Sequence, residues 1–227
     1  MSKKITRRQF IITVAGGVGI ITLTCAGFGT MVTRRPIDIQ FRKLATNRNP
    51  MKPIVLVTYA SRAGSTMEIA RMVSLELENR GFTVDINPIG RVTSLEVYSH
   101  VVIGSAIRMG TVLPEITQFI KEHSSEFLSV PLAFFAVHLD NSGEDESSEK
   151  ARFAYLDPIR NQLRINHEAY FTGVYDPAKV SPLERLIGKM VKTPIGDFRD
   201  WDTIKAWGQS IFSDTPKALF MRKALSI

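Results

Sequence analysis

The sequence predicts a doubly wound α/β fold, in which a five-stranded parallel sheet is covered by helices on both faces. Three observations indicate this fold. From residue 53 onward, short apolar runs typical of strands alternate with longer segments of helical spacing, the order expected of a parallel sheet. The interiors of these runs carry almost no charge, as strands buried on both faces require. The first strand leads through a hydroxyl-rich turn directly into a helix.

In the first half of this region, residues 54–59 form an apolar run that predicts the first strand. Residues 65–80 carry apolar side chains at helical spacing, and Gly81 is placed to cap the C-terminus of that helix. Residues 83–87 alternate apolar and polar side chains, which predicts the second strand. The third strand is predicted at residues 100–104, whose interior is entirely apolar.

In the second half, a proline at the start of residues 114–127 predicts a helix with one apolar face. Residues 132–139 are rich in aromatic side chains and uncharged until their end, which predicts a central fourth strand. A helix over residues 145–163 and a fifth strand over residues 169–175 follow. An aspartate cap predicts the last helix, over residues 200–212.

The turn between the first strand and the first helix is predicted to bind a phosphate group. The first turn of a helix leaves backbone N–H groups unpaired and carries the positive end of the helix dipole, so an anion satisfies both. Hydroxyl groups add donors, and a glycine allows close approach of the backbone. The residues of the turn are Ser61, Arg62, Ala63, Gly64, Ser65 and Thr66.

Other phosphate loops do not fit this turn. A Walker A loop ends in Gly-Lys-Ser/Thr, and a dinucleotide-binding loop needs three spaced glycines; the segment has neither. The remaining alternative is an ordinary strand-to-helix turn with capping hydroxyls.

The segment resembles the flavodoxin signature, in which an aromatic residue ends the strand and small and hydroxyl residues lead into the helix. The matching positions are Tyr59, Ser61, Gly64, Thr66, Ala70 and Val73. Thr58 departs from the pattern, which has an apolar residue there, and a buried threonine is tolerated if its hydroxyl finds a backbone partner. The resemblance implies a flavodoxin-like sheet of order 2-1-3-4-5, with FMN bound where the first and third strands diverge.

In such a sheet the cofactor lies at the carboxyl ends of the strands, so two further loops are expected to flank the flavin ring. Their candidate residues are Ser105, Ala106, Ile107, Arg108, Met109 and Gly110 in one loop, and Val137, His138, Leu139, Asp140 and Asn141 in the other. Arg108 is a candidate for tuning the flavin, because a nearby cation stabilises the anionic reduced ring and raises its reduction potential. We expect the flavin to carry the chemistry, with no catalytic side chain identified.

The chain also resembles the menaquinone-dependent protoporphyrinogen IX dehydrogenase branch of flavodoxin-like proteins. The shared stretches are residues 101–104 leading into Ile107-Arg108-x-Gly110, and residues 119–123, 131–135 and 196–201. This resemblance implies an FMN enzyme that oxidises protoporphyrinogen and reduces a membrane quinone. Two alternatives stay open: a noncatalytic electron-transfer module that docks to a redox partner, and a flavin-binding structural or regulatory protein without turnover.

Residues 181–192 follow the fifth strand, where that branch carries an inserted stretch associated with its activity. Their apolar residues fall on one helical face beside two lysines. A helix that closes over the core and a helix that faces the membrane or the substrate are both compatible with this pattern.

The N-terminal part is expected to anchor the protein in a membrane. Residues 11–32 carry no charge and as a helix would extend about 33 Å, enough to cross a hydrocarbon core of about 30 Å. Residues 1–10 form a basic region that resembles the twin-arginine export signal, although a plain basic flank explains the two arginines equally well. No convincing cleavage site follows, so an uncleaved anchor is expected. The domain faces the exported side if the signal is real, and otherwise the cytoplasm.

The remaining boundaries follow from composition. Residues 33–52 are predicted as a basic linker, residues 53–214 as the FMN-binding domain, and residues 215–227 as a basic amphipathic tail. The net charge of +7 arises from the basic excess of residues 1–50, and without a nucleic-acid-binding motif we expect no nucleic-acid partner. One cysteine excludes an intrachain disulfide, and the scattered histidines predict no metal site.

Overall fold

A computed structural model describes residues 53–180, 182–190 and 193–213. Strands and helices alternate along this part of the chain. In chain order the elements are β1 (Ile54–Ala60), α1 (Ser65–Asn79), β2 (Thr83–Pro88), β3 (His100–Arg108), β4 (Thr111–Val112), α2 (Pro114–Glu122), β5 (Leu132–His138), α3 (Glu146–Ala154), α4 (Asp157–Arg160), β6 (His167–Thr172), β7 (Val174–Tyr175), α5 (Pro182–Met190), β8 (Gly196–Asp197) and α6 (Trp201–Ser210). Two short 3-10 turns lie at Ile89–Arg91 and Glu126–Ser129.

The main sheet has the strand order β2-β1-β3-β5-β6, and all four of these pairings are parallel. This is the order 2-1-3-4-5 of the five predicted strands, so the predicted topology is confirmed. β4 adds to β3 as an antiparallel hairpin, and β7 pairs with β8 in a separate two-stranded ribbon.

The core lies on both faces of the sheet, because successive side chains of a strand point to opposite faces. Leu56 of β1 belongs to one apolar cluster, which α2 and α4 cover with residues such as Ile116 and Ile159. Val57 belongs to the other cluster, which α1 and α6 cover with residues such as Ile69 and Ile204. The fold is therefore doubly wound, as predicted.

Several predicted boundaries are wrong. β3 continues beyond residue 104 to Arg108, because its last residues pair first with β5 and then with β4. The helix predicted over residues 145–163 is two helices, α3 and α4, and Pro158 stands in the first turn of the second, where its missing N–H costs nothing. α2 ends at Glu122 instead of residue 127, and β6 begins at His167, two residues earlier than predicted.

The predicted basic region, membrane-spanning segment, linker and tail, residues 1–10, 11–32, 33–52 and 215–227, lie outside the described residues. Within residues 53–180, 182–190 and 193–213, no helix has the length and apolar character needed to cross a membrane.

Candidate functional site

The three loops predicted to form the site meet at one edge of the sheet. Ala60, at the end of β1, pairs with Ser105 of β3. Ala106 in turn pairs with Val137 of β5. Since parallel strands bring their carboxyl ends to the same edge, the turn after β1, the end of β3 and the loop after β5 are neighbours there, as the sequence predicts.

The turn after β1 has the backbone geometry of an anion site. Gly64 lies in the left-handed region with φ of +95° and precedes the first residue of α1. Its N–H donates to Ser61 Oγ at 3.0 Å, and its carbonyl accepts the first helical hydrogen bond, from the N–H of Glu68 at 3.1 Å. Among the described residues, no side chain caps this helix terminus, so its first N–H groups are available to a ligand.

Thr66 supplies a further donor at the same place. Its side chain is fully buried, and within the described part of the chain its Oγ1 atom has no hydrogen-bond partner. A buried hydroxyl without a partner carries an energetic cost, which a bound phosphate oxygen would remove. The residues present therefore fit a phosphate group.

Two residues near the end of β1, Thr58 and Tyr59, are buried just before this turn. Thr58 is fully buried, and its hydroxyl also lacks a partner among the described residues, so the backbone partner expected for it is not found. Burial raises the pKa of the neighbouring Tyr59 to about 12, even though Arg71 and Arg91 act in the opposite direction.

Arg62 leaves the turn to form an ion pair with the helix that follows the second loop. Its Nη2 atom donates to Glu115 Oε2 at 2.9 Å, and Nη1 donates to Oε1. Glu115 lies in the first turn of α2. The two side chains are partly buried, at 25% and 33% exposed. The bidentate pair joins the phosphate turn, residues 61–66, to the start of α2, just after the β3–β4 hairpin. No local sequence pattern indicated Glu115, because the pair connects residues 53 positions apart.

The second predicted loop is mostly strand. Residues Ser105 to Arg108 belong to β3, and only Met109 and Gly110 form the turn, both with positive φ. Ser105 is buried and its hydroxyl accepts from the N–H of Leu113 at 3.1 Å, so this side chain supports the hairpin. The side chains of Ala106, Ile107 and Arg108 are partly buried, and that of Met109 is fully exposed.

Burial lowers the pKa of the half-buried Arg108 guanidinium, and the nearby positive charge of Arg62 lowers it further. The Glu115 carboxylate acts in the opposite direction. The two arginines and Glu115 therefore form one electrostatic cluster at this edge of the sheet.

The third predicted loop is held by the helix that follows it. Val137 and His138 are buried at the end of β5, Leu139 is partly buried and Asp140 is exposed. The Tyr155 hydroxyl donates to the Asp140 carbonyl oxygen at 3.2 Å and accepts from Asn141 Nδ2 at 2.7 Å. This arrangement fixes the backbone of the loop, including Asn141 in the left-handed region.

Gly173 brings the end of β6 close to two of these loops, an approach that was not predicted from the sequence. Its N–H donates to the His138 carbonyl oxygen at 2.9 Å. A Cβ atom at this position would lie 2.9 Å from Val137 Cγ1 and 3.5 Å from Ser65 Oγ. The missing side chain therefore leaves room between the phosphate turn and the third loop.

Arg199 ties the segment before α6 to the first turn of α1. It pairs with Glu68, and its Nε and Nη2 atoms donate to Asp197 at 2.8 Å and 2.5 Å. Its guanidinium also lies 4.4 Å from the centre of the Trp201 ring. Hydrogen bonds to Asp197 and Glu68 raise the pKa of Arg199, against the effect of burial. Residues 196–201 are one of the stretches that carry the sequence resemblance, but no role was predicted for them.

A cleft of about 160 Å³ opens beside the phosphate turn. It is lined by Ala63, Ser65, Glu68, Val174, Asp176, Lys179, Asp197 and Arg199. None of these residues comes from the second or third loop, so the cleft extends from the phosphate turn toward the β7–β8 ribbon.

The three histidines outside the site loops have structural contacts. His123 Nδ1 lies 2.5 Å from Glu126 Oε1, His100 packs between Phe82 and Phe212, and His167 Nε2 accepts from the Phe212 N–H. In the ranges that the structure describes, no three His, Cys, Asp or Glu side chains are grouped as metal ligands would be.

Residues 56–202 match the family model described as the flavodoxin domain. A protoporphyrinogen IX dehydrogenase (quinone) of Escherichia coli K12 is 25% identical over 174 residues, which cover 71% of this chain and 96% of that protein. A protein of the same name from Leishmania major is 34% identical over 91 residues, covering 38% and 39% of the two chains. A solved flavodoxin from the domain Archaea matches with a TM-score of 0.44 and 15% identity, covering 70% of this chain and 95% of that one.

Proposed function

Because the chain belongs to the flavodoxin domain family, we propose that it is an FMN-dependent oxidoreductase that dehydrogenates protoporphyrinogen IX and reduces a quinone. FMN is the cofactor of this family. The observation that carries the proposal is the uncapped N-terminus of α1, where the buried Thr66 hydroxyl lacks a partner among the described residues.

Residues 61–66 would hold the phosphate of FMN. The N–H groups of the first turn of α1 and the hydroxyls of Ser65 and Thr66 supply the donors, and Ser61 shapes the turn by accepting from Gly64. Residues 105–110 and 137–141 would flank the ring. When bound, FMN would supply the redox chemistry, which is the transfer of two electrons from an organic substrate.

Arg108 favours an enzyme whose flavin accepts electrons from a substrate over a carrier whose flavin donates electrons at low potential. A cation near the ring favours the anionic reduced flavin and so makes the cofactor a better acceptor. Half-burial strengthens this effect, because water screens a charge less where it is partly excluded. The choice of protoporphyrinogen as substrate is supported by the similarity to the Escherichia coli dehydrogenase, which extends over nearly all of that protein.

To reduce a membrane quinone, the protein would have to work at a membrane surface. The uncharged run of residues 11–32 is long enough to act as a membrane anchor. Leu186 and Met190, one helical turn apart on α5, are 56% and 75% exposed, which gives an apolar surface next to the exposed Lys189. A reporter that is active on one side of the membrane, fused after residue 50, distinguishes the exported from the cytoplasmic orientation.

The test uses the full-length chain purified in a mild detergent. We expect a flavin absorption spectrum, bleaching of that spectrum when anaerobic protein receives protoporphyrinogen IX, and its return when a quinone is added. A colourless protein that cannot be reconstituted with FMN would contradict the central proposal. Bound FMN that protoporphyrinogen does not reduce would instead support a noncatalytic electron-transfer module.

A further inference from the structure

The ion pair between Arg62 and Glu115 places a carboxylate within the basic cluster of the site. Both guanidinium Nη atoms of Arg62 are engaged by the two oxygens of Glu115, with 2.9 Å between Nη2 and Oε2. Paired, parallel hydrogen bonds of this kind fix the orientation of both groups. Arg62 is therefore held toward α2, although its backbone belongs to the phosphate turn.

The same carboxylate also acts on Arg108. Arg62 and Glu115 both affect this guanidinium, in opposite directions, so the three groups are close enough to interact. Two positive charges and one negative charge thus interact, contributed by the turn after β1, the end of β3 and the first turn of α2. Partial burial of all three side chains limits the screening of these charges by water.

We propose that Glu115 is a positioning residue and counter-ion that lowers the reduction potential of the flavin by orienting Arg62 and offsetting one positive charge of the cluster. This inference rests on the proposed binding of FMN at residues 61–66 and 105–110. The physical reason is that reduction can place a negative charge on the ring, which a cation stabilises and a carboxylate destabilises. Removing the carboxylate should therefore make the flavin easier to reduce.

The substitution Glu115→Gln removes the charge and retains an oxygen that can accept from Arg62. The control is Glu122→Gln, which makes the same charge change at the other end of α2, where Glu122 bonds to Gln118. Glu115→Asp keeps the charge and serves as the conservative variant. Arg62→Gln removes the paired cation and should act in the opposite direction.

The measurement is a potentiometric titration of the full-length protein carrying FMN, with reference dyes. At a fixed ambient potential, we expect Glu115→Gln to increase the ratio of reduced to oxidised flavin by about tenfold, which equals about 30 mV for a two-electron couple. Arg62→Gln should decrease that ratio. Glu115→Asp, which keeps the charge, should leave the ratio close to the wild-type value. Glu122→Gln should change the ratio by less than about twofold.

The outcomes separate the two proposals. If every protein binds FMN and Glu115→Gln matches Glu122→Gln, Glu115 does not tune the flavin and the inference is wrong, while the proposed cofactor stands. A lower melting temperature of Glu115→Gln with an unchanged potential would likewise reduce Glu115 to a structural brace. If the wild-type chain binds no FMN, the proposed function and this inference both fail.

Discussion

The Nδ1 atom of His138 lies 2.8 Å from the backbone carbonyl oxygen of Asp140. Because a carbonyl oxygen only accepts hydrogen bonds, Nδ1 carries the proton, and in the neutral ring Nε2 is the unprotonated nitrogen. Burial lowers the pKa of His138, while the bond to Asp140 acts in the opposite direction. The folded protein therefore favours the neutral imidazole.

This preference predicts that stability falls in mildly acidic solution. The unfolded chain takes up a proton at the ordinary histidine pKa of about 6.5, whereas the folded chain does so only at lower pH. The stabilising free energy from His138 is thus fully present above its ordinary pKa and is lost as the pH falls toward the lowered pKa of the folded protein. Urea unfolding of the wild type should show a loss between about pH 7.5 and about pH 5.5.

His138→Asn is the matched variant, because asparagine can still donate to the Asp140 carbonyl and does not titrate in this range. We expect its free energy of unfolding to change less than that of the wild type over the same interval. An equal loss in both proteins would show that the acid sensitivity arises elsewhere.

The two buried threonines of the first strand and helix provide an internal comparison. Thr66→Val removes the hydroxyl placed at the phosphate turn, and we expect the dissociation constant of FMN to rise by about tenfold or more. Thr58→Val removes a hydroxyl of the same burial away from the turn. That change should leave FMN affinity unaltered and raise the free energy of unfolding by about 1 kcal/mol, because it removes an unpartnered polar group. Isothermal titration and urea unfolding measure both; similar effects of the two substitutions on FMN would argue against the phosphate site.

Gly64 is the residue whose backbone permits the phosphate turn. Its φ of +95° is strained for any residue with a side chain, so Gly64→Ala should cost about 1 to 2 kcal/mol of unfolding free energy and weaken FMN binding. Gly90→Ala is the control, since a Cβ there meets no atom within 4 Å and no positive φ is involved. It should change stability by less than about 0.5 kcal/mol. Thermal unfolding with and without FMN tests the contrast, which an equal cost at both positions would contradict.

Arg199 is expected to stabilise the contact between α1 and the segment that precedes α6. Its side chain is only 9% exposed and pairs with Glu68 and Asp197. Arg199→Lys keeps the charge but loses the planar set of donors, and should lower the free energy of unfolding by about 1 kcal/mol. Lys205→Ala removes an exposed lysine that lies 3.5 Å from Asp202 and should have almost no effect. Comparable losses in urea unfolding would mean that the buried position of Arg199 adds nothing.

The exposed apolar residues of α5 test the proposed membrane contact. We expect Leu186→Ser with Met190→Ser to slow electron transfer to a lipid-embedded, long-chain quinone by about fivefold or more. The rate with a water-soluble, short-chain quinone should not change. Leu128→Ser is the control, because Leu128 is 87% exposed in a different part of the surface. Equal rates for all variants in stopped-flow measurements with quinone-loaded vesicles would contradict the contact.

Local sequence patterns predicted much of the fold and part of the site. The shape of the turn at residues 61–66 was predictable because Gly64, in the left-handed region, and Ser61, which accepts from the Gly64 N–H, act within a few residues. The end of β3 was not, since its last residues are strand only through pairing with the distant β5 and with β4, which folds back on them. The break between α3 and α4 could have been found from Asp157-Pro158, as proline is favoured in the first turn of a helix.

By itself, the sequence determined the alternation of strands and helices and the turn at residues 61–66, because each depends on periodicity or on a local motif. The strand order 2-1-3-4-5 followed from the resemblance to flavodoxin-like proteins. Only the tertiary structure decided which charges meet there. Arg62 pairs with Glu115 across 53 residues, and Arg199 pairs with Glu68 across 131. Such pairs depend on how β1, β3 and the segment before α6 converge at one edge of the sheet, and no local pattern encodes that distance.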